Sequence, residues 1–241
     1  MNNISTPYLP NGKVRLYIAD CEIPGATVIP PLPIDNLPRS MRRHADLGIV
    51  IISAKKAVCP PETCTYYKNA LLPYGFEIIE GKTSVGSHYP KDCAYNVGIV
   101  GKKCFLNKNV CDERLYEILI SEGYEIVHVN QGYAKCSICP IDENTFITGD
   151  ISIARAGENA HCSVLLITND NISLPAFSNG FWGGCCGMGS FDELLVNGDI
   201  DLLPSAEKIR EFLKNKNIKI KNLKEGEVVD IGSIIPLMTD A

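Results

Sequence analysis

The chain has 241 residues, 45% of them apolar and 21% charged, with a net charge of −5. That balance suits a globular protein and offers no basic face for nucleic acid or an anionic membrane surface. No apolar run approaches the roughly 18 residues that span a bilayer. The opening MNNISTPYLPNGK lacks the basic and apolar regions of a secretory signal, so a cytoplasmic location is expected. Eleven cysteines in a reducing compartment read as free thiols, most of them packed as small apolar residues.

In chain order, KVRLYIAD and GATVIP (from Gly25) read as strands too close together to hold a helix between them. GIV from Gly48 is a buried strand, PETCTYYKNALLPYG a helix, and GFEII from Gly75 a second strand. GIV from Gly98 repeats the pattern. It is followed by DERLYEILISEG, with Leu115, Ile118 and Leu119 on one face and Gly123 as its stop, and then by GYEIV. In the next stretch TFITG from Thr145 is a strand, GENAHCSVLLITND holds the helical part, and DNISLP from Asp170 is the following strand. ELLVNG from Glu193 leads to SAEKIREFLKNKN, with Ser205 as N-cap and Ile209, Phe212 and Leu213 on one face, and then to NIKIKN. EGEVVDIGSIIPLM supplies a last strand to lie beside KVRLYIAD.

The last strands of the successive units start at Gly25, Gly75, Gly123, Asp170 and Asn217, at intervals of 50, 48, 47 and 47 residues. Such regularity is the signature of a repeat architecture, whose units cannot bury their apolar faces alone. The expected fold is α/β: a single domain over 1–241 forming a fivefold pseudo-symmetric ring, an α/β propeller of strand–helix–strand units. The units fall at about 13–38, 44–84, 92–130, 136–176 and 184–224, closed by a strand at 227–238. An ordinary open α/β sheet is the competing arrangement, since its strands and helices also alternate.

A ring of five such units resembles the pentein fold of the guanidino-group modifying enzymes: arginine and agmatine deiminases, amidinotransferases and dimethylarginine hydrolases. The resemblance covers nearly the whole chain and rests mainly on the repeat. The ribosomal anti-association factor shares the fold and catalyses nothing, so a non-catalytic binding protein is the alternative.

In such a ring the residues just before each inner strand converge on one cleft. Here these are RRHAD (Arg42 to Asp46), KDCAYN (Lys91 to Asn96), KCSIC (Lys135 to Cys139) and GGCCG (Gly183 to Gly187). Guanidine chemistry needs a thiolate to attack the central carbon, a histidine to protonate the leaving amine and activate water, and carboxylates to hold the planar cation. HAD is similar to the His-x-Asp of these enzymes, which implies His44 as acid–base and Asp46 as its neighbour. Gly-Gly-Cys is similar to their nucleophile loop, which implies Cys186 or Cys185 as nucleophile, with Cys186 preferred. Asp46, Asp92 and Asn96 are the candidate substrate-binding residues.

The sequence departs from the family in its order. The enzymes place the histidine about two units before the cysteine, whereas His44 lies about three before Cys185 and Cys186. His88, in GSHYPKD, is nearer that separation but lacks the His-x-Asp context. His128 and His161 read as structural, in a strand and a helix, and Trp182 as part of the cleft wall. The expected activity is hydrolysis of a small guanidino compound through a covalent thiol intermediate, with no cofactor and no metal. A rival for the thiols is a metal site built on Cys136 and Cys139, one CxxC without a second.

Overall fold

A computed structural model describes residues 7–238. Four segments repeat one topology: an antiparallel hairpin, a helix, and a third strand parallel to the second. The first has Val50–Ser53, Lys56–Cys59, helix Pro61–Leu71 and Glu77–Glu80. The second has Gly98–Val100, Lys103–Leu106, helix Glu113–Ser121 and Glu125–His128. The third has Ile138–Asp142, Thr145–Thr148, helix Ile151–Asn159 and Ser163–Leu166. The fourth has Cys186–Ser190, Glu193–Val196, helix Ala206–Lys214 and Lys219–Asn222.

A fifth sheet has the same pattern from the two ends of the chain. Leu16–Ile18 pairs in parallel with Thr27–Ile29, and its antiparallel partner is Ile235–Leu237, in register Leu16 to Leu237 and Ile18 to Ile235. The fold is thus mixed α/β, built of small three-stranded sheets. Among the described residues no helix is long and apolar enough to cross a membrane.

Each repeat holds one more strand than the sequence reading assigns. TFITG and ELLVNG are second strands; the counterparts of the two GIV strands are Ile138–Asp142 and Cys186–Ser190. These carry Pro140 and glycines 187 and 189, residues that ordinarily mark turns. Both strands are almost wholly buried, and tertiary packing overrides local preference. GENAHCSVLLITND likewise divides. Its helix ends at Asn159, His161 turns the chain at φ 61°, and Ser163–Leu166 is the third strand of its sheet. The expected strand at DNISLP shrinks to Ile172–Ser173, which pairs instead with Val228–Val229 in a separate two-stranded sheet.

The helices end where their chemistry dictates. Asp150 caps its helix by accepting from the amides of Ser152 and Ile153. Ser205 stands at the N-cap position, but its hydroxyl accepts from the Thr168 amide instead. Asp112 is fully buried and does more than cap: Oδ1 accepts from Leu115 N at 2.9 Å, and Oδ2 from Lys82 N at 2.8 Å and Thr83 N at 2.7 Å. Burial alone raises its pKa, yet these hydrogen bonds outweigh burial and hold the carboxyl below its ordinary value. Asp112→Ala leaves three backbone donors unpaired and is expected to cost about 2–4 kcal/mol in urea unfolding at pH 7. A depressed folded pKa stabilises above the unfolded value, and that gain is lost as pH falls through the folded value. The gap between wild type and variant should therefore narrow below about pH 4.

Candidate active site

Short turns of helix precede the first strands of the sheets, and they carry the polar residues inward. Ala45–Gly48 follows His44 and holds Asp46; Ala134–Ser137 holds Lys135 and Cys136; Trp182–Gly184 runs into Cys185 and Cys186. The segment before Gly98–Val100 supplies Asn96, and the segment before Ile235–Leu237 supplies Asp230 and Ser233. One ligating atom from each of His44, Asp46 and Cys136 lies within 4.8 Å of the others, and all three residues are buried.

Asp46 is the hub. Its Oδ2 accepts from Cys136 Sγ at 3.1 Å and from Ser233 Oγ at 2.7 Å. Ser233, held at φ 78°, is 2.8 Å from the Gly183 carbonyl as well, so its single proton serves one acceptor or the other. Lys135 Nζ, buried with the cluster, donates to Ser233 Oγ at 2.9 Å and lies 5.4 Å from the Tyr8 ring centre. The buried Lys135 side chain thus reaches Asp46 through one hydroxyl.

Asn96 fixes the thiol. Its Oδ1 accepts from the backbone N–H groups of Lys135 and Cys136 at 2.7 and 3.1 Å. Its amide donates to Cys136 Sγ at 3.2 Å and to the Asp46 carbonyl at 3.1 Å. Burial pushes the Cys136 thiol well up, and Asp46 and Asp230 add to that, against the Asn96 hydrogen bond. The site therefore holds a thiol hydrogen-bonded to Asp46.

His44 Nε2 lies 3.9 Å from Asp230 Oδ1, and neither ring nitrogen has a hydrogen-bond partner among the described residues. Asp230 accepts from Phe181 N at 2.8 Å and Gly232 N at 3.0 Å, yet burial still raises its pKa. Two glycines make this possible. A Cβ on Gly184 would strike the Asp230 carboxylate, and one on Gly232, at φ 71°, would strike His44.

His44, Cys136 and Asp230 form the buried end of a pocket of about 320 Å³, walled by Met41, Leu174, Tyr133 and Phe181, with half-exposed Phe177 at its rim. Asp92 stands behind this wall: its Oδ2 accepts from Tyr133 OH at 2.7 Å, and burial raises its pKa. Asp92 thus orients Tyr133 and does not itself line the pocket. Cys185 and Cys186 do not line it either. Both are 1% exposed or less, and their thiols donate to the carbonyls of Phe181 and Trp182 at 3.1 Å each. Cys186 lies beside Cys139, and burial pushes the thiols of Cys185 and Cys186 far up, as it does for Cys136. Geometry, not pKa, separates the three.

Trp182 is fully buried and outside the pocket lining. His88 is exposed and pairs with Ser87; His128 accepts from the Lys108 amide; His161 follows its helix rather than sitting within it. The sequence reading names His44, Asp46 and Asn96, all of which meet here. It misses Asp230 and Ser233, and it places Cys136 at the cleft within KCSIC but weighs it as a metal ligand and not as a nucleophile. The CxxC is not itself a metal site, since Cys136 faces the pocket while Cys139 packs in a separate apolar cluster.

A search of solved structures finds the same architecture in distant proteins. An inosamine-phosphate amidinotransferase from Streptomyces griseus aligns over 99% of this chain and 98% of its own, at TM-score 0.58 and 11% identity. An agmatine deiminase from C. jejuni aligns over 87% and 75%, at TM-score 0.53 and 12% identity. A dimethylarginine dimethylaminohydrolase (DDAH) from Pseudomonas aeruginosa, complexed with citrulline, aligns over 82% and 73%, at TM-score 0.51 and 12% identity. The fold is that of the pentein guanidino-modifying superfamily. By sequence, the chain belongs to a family of unknown function, DUF6873, whose model matches residues 18–235. No curated protein matches it.

Proposed function

We propose that this chain is a guanidino- or amidino-group hydrolase whose nucleophile is Cys136, with its five three-stranded sheets arranged as the blades of one pseudo-fivefold ring. The pairing of Leu16–Ile18 with Ile235–Leu237 supports the ring, because it completes a fifth sheet from both chain ends. The observation that carries the function is the meeting of His44, Asp46 and Cys136 with Asp230 at the buried end of one pocket. Cys136 also restores the order of the resemblance: it lies two repeats after His44, where Cys185 and Cys186 lie three after it.

In the proposed reaction a guanidinium enters with its N–H groups toward Asp230, whose two oxygens suit a planar cation. The cation offsets the surrounding carboxylates, so the Cys136 proton passes to a ring nitrogen of His44. Sulfur then bonds to the amidino carbon. The tetrahedral adduct breaks its C–N bond, and His44 protonates the departing amine or ammonia. Water, deprotonated by His44, adds to the resulting thiouronium. Breaking the C–S bond returns the thiol and releases the urea-type product.

His44→Ala is expected to lower the release of amine or ammonia from a guanidine panel by about 10²–10⁴-fold. Unchanged turnover would remove His44 from the mechanism. A second reading takes His44, Asp46 and Cys136 as ligands of a metal ion, and their atom types would suit zinc. The Lys135 amino group, linked to Asp46 through Ser233, favours the metal-free reading. Elemental analysis of purified protein distinguishes them: one zinc per chain would support the metal.

A further inference from the structure

The pocket is charged at one end only. Its buried end presents Asp230, with Asp46 directly behind, while Met41, Leu174, Phe177 and Phe181 supply the walls and rim. Ser178 and Asn179, the neutral polar residues at the rim, are engaged locally: Ser178 Oγ donates to Asn179 Oδ1, and Asn179 Nδ2 donates to the Gly180 carbonyl. Among the described residues no lysine or arginine lines the pocket. The cations nearest in sequence are committed elsewhere. Arg42 donates to the Leu37 carbonyl and approaches Asp35; Arg43 donates to Asp20; Lys135 is turned to Ser233.

A substrate carboxylate lodged against this rim would be desolvated among aromatic and aliphatic side chains with no opposite charge, and it would face two buried aspartates. A second cation at the far end would be desolvated there too. We infer that the substrate is a monocationic guanidine or amidine bearing one uncharged apolar substituent of about benzyl size, and not an amino acid. This rests on the guanidino reading above and narrows it. The pocket volume, about 320 Å³, is at the small end of ligand sites and leaves room for little beyond the cationic head and one ring. The Tyr133 and Phe181 rings, with centroids 6.0 Å apart and planes inclined by 37°, offer faces for that ring to pack on.

The test is calorimetric titration of the full chain with benzylguanidinium, its para-carboxylate analogue and neutral benzylurea. Each is also scored for protecting Cys136 from alkylation. Benzylguanidinium is expected to bind about 30-fold or more tighter than the carboxylate analogue. In Phe177→Arg, which changes an exposed rim residue, that ratio should fall at least about tenfold, because the variant supplies the missing cation. If the carboxylate analogue binds the wild type as tightly as benzylguanidinium, and both protect Cys136, the substrate class is wrong while the guanidino reading stands. If benzylurea binds as well as benzylguanidinium, or neither cation binds, the guanidino reading falls and this inference falls with it.

Discussion

Cys136→Ser is expected to lower guanidine turnover by about 10³-fold or more, while Cys186→Ala leaves it within about threefold. Serine preserves the shape of the site and keeps a donor to Asp46. The loss would therefore report nucleophilicity and not collapse of the cluster. The Cys186 thiol faces the carbonyl of Trp182 inside the apolar core, and removing it should cost stability, about 1–2 kcal/mol, without touching the pocket. Urea titrations run beside the turnover assays separate the two effects. The reverse pattern, with Cys186→Ala inactive and Cys136→Ser active, would reinstate the GGCCG loop as the nucleophile loop.

Asp230→Asn should weaken benzylguanidinium binding by on the order of 10²-fold, since one partner of a buried charge pair is removed. Its pH signature is distinctive. Burial raises the Asp230 pKa, so in the empty protein the carboxyl keeps its proton to higher pH than an exposed aspartate does. A guanidinium binds the ionised form, so affinity should climb as pH rises through the folded pKa and then level off. The asparagine variant should lack that step. The stability linkage has the opposite sense. A raised carboxyl pKa stabilises most below the unfolded value, near 4, and that contribution fades as pH rises through the folded value. Wild type without ligand should thus lose stability relative to Asp230→Asn over that interval, and ligand should reverse the trend.

The spacing of GATVIP, GFEII, GYEIV and NIKIKN was legible because each is a short β-rich run at nearly constant intervals, and the helices Glu113–Ser121 and Ala206–Lys214 carry clear apolar faces. The inner strands were harder to see. Ile138–Asp142 contains Pro140 and Cys186–Ser190 is Gly-Cys-rich, so local preference argues against strands that burial on both faces creates. That shifted the register of two repeats and misplaced DNISLP.

The same cause limits the site. HAD and KDCAYN stand just before inner strands, and His44, Asp46 and Asn96 follow from position alone. KCSIC stands in the same place, yet two cysteines three apart suggest metal before catalysis. Two cysteines after paired glycines suggest a nucleophile, although here Gly184 is small so that the Asp230 carboxylate can pack against it. Asp230 and Ser233 precede the closing strand as Asp46 precedes its own. Extending the register into VVDIGSIIPLM would have found them. What no sequence pattern conveys is that Asp92 turns toward Tyr133 and the Cys185 and Cys186 thiols toward carbonyls, because one rotamer decides each.

Cys136, in a site built for a planar cation, is the proposed nucleophile. The most direct test is peptide mapping by mass spectrometry after brief treatment with 2-chloroacetamidine at neutral pH, alongside the neutral chloroacetamide. Because burial and two carboxylates keep the thiol protonated until a cation arrives, the amidine should add once, at Cys136, at least about tenfold faster than the amide, and benzylguanidinium should block it. Modification at Cys185 or Cys186, or equal slow labelling of several thiols by both reagents, would exclude Cys136 as the nucleophile.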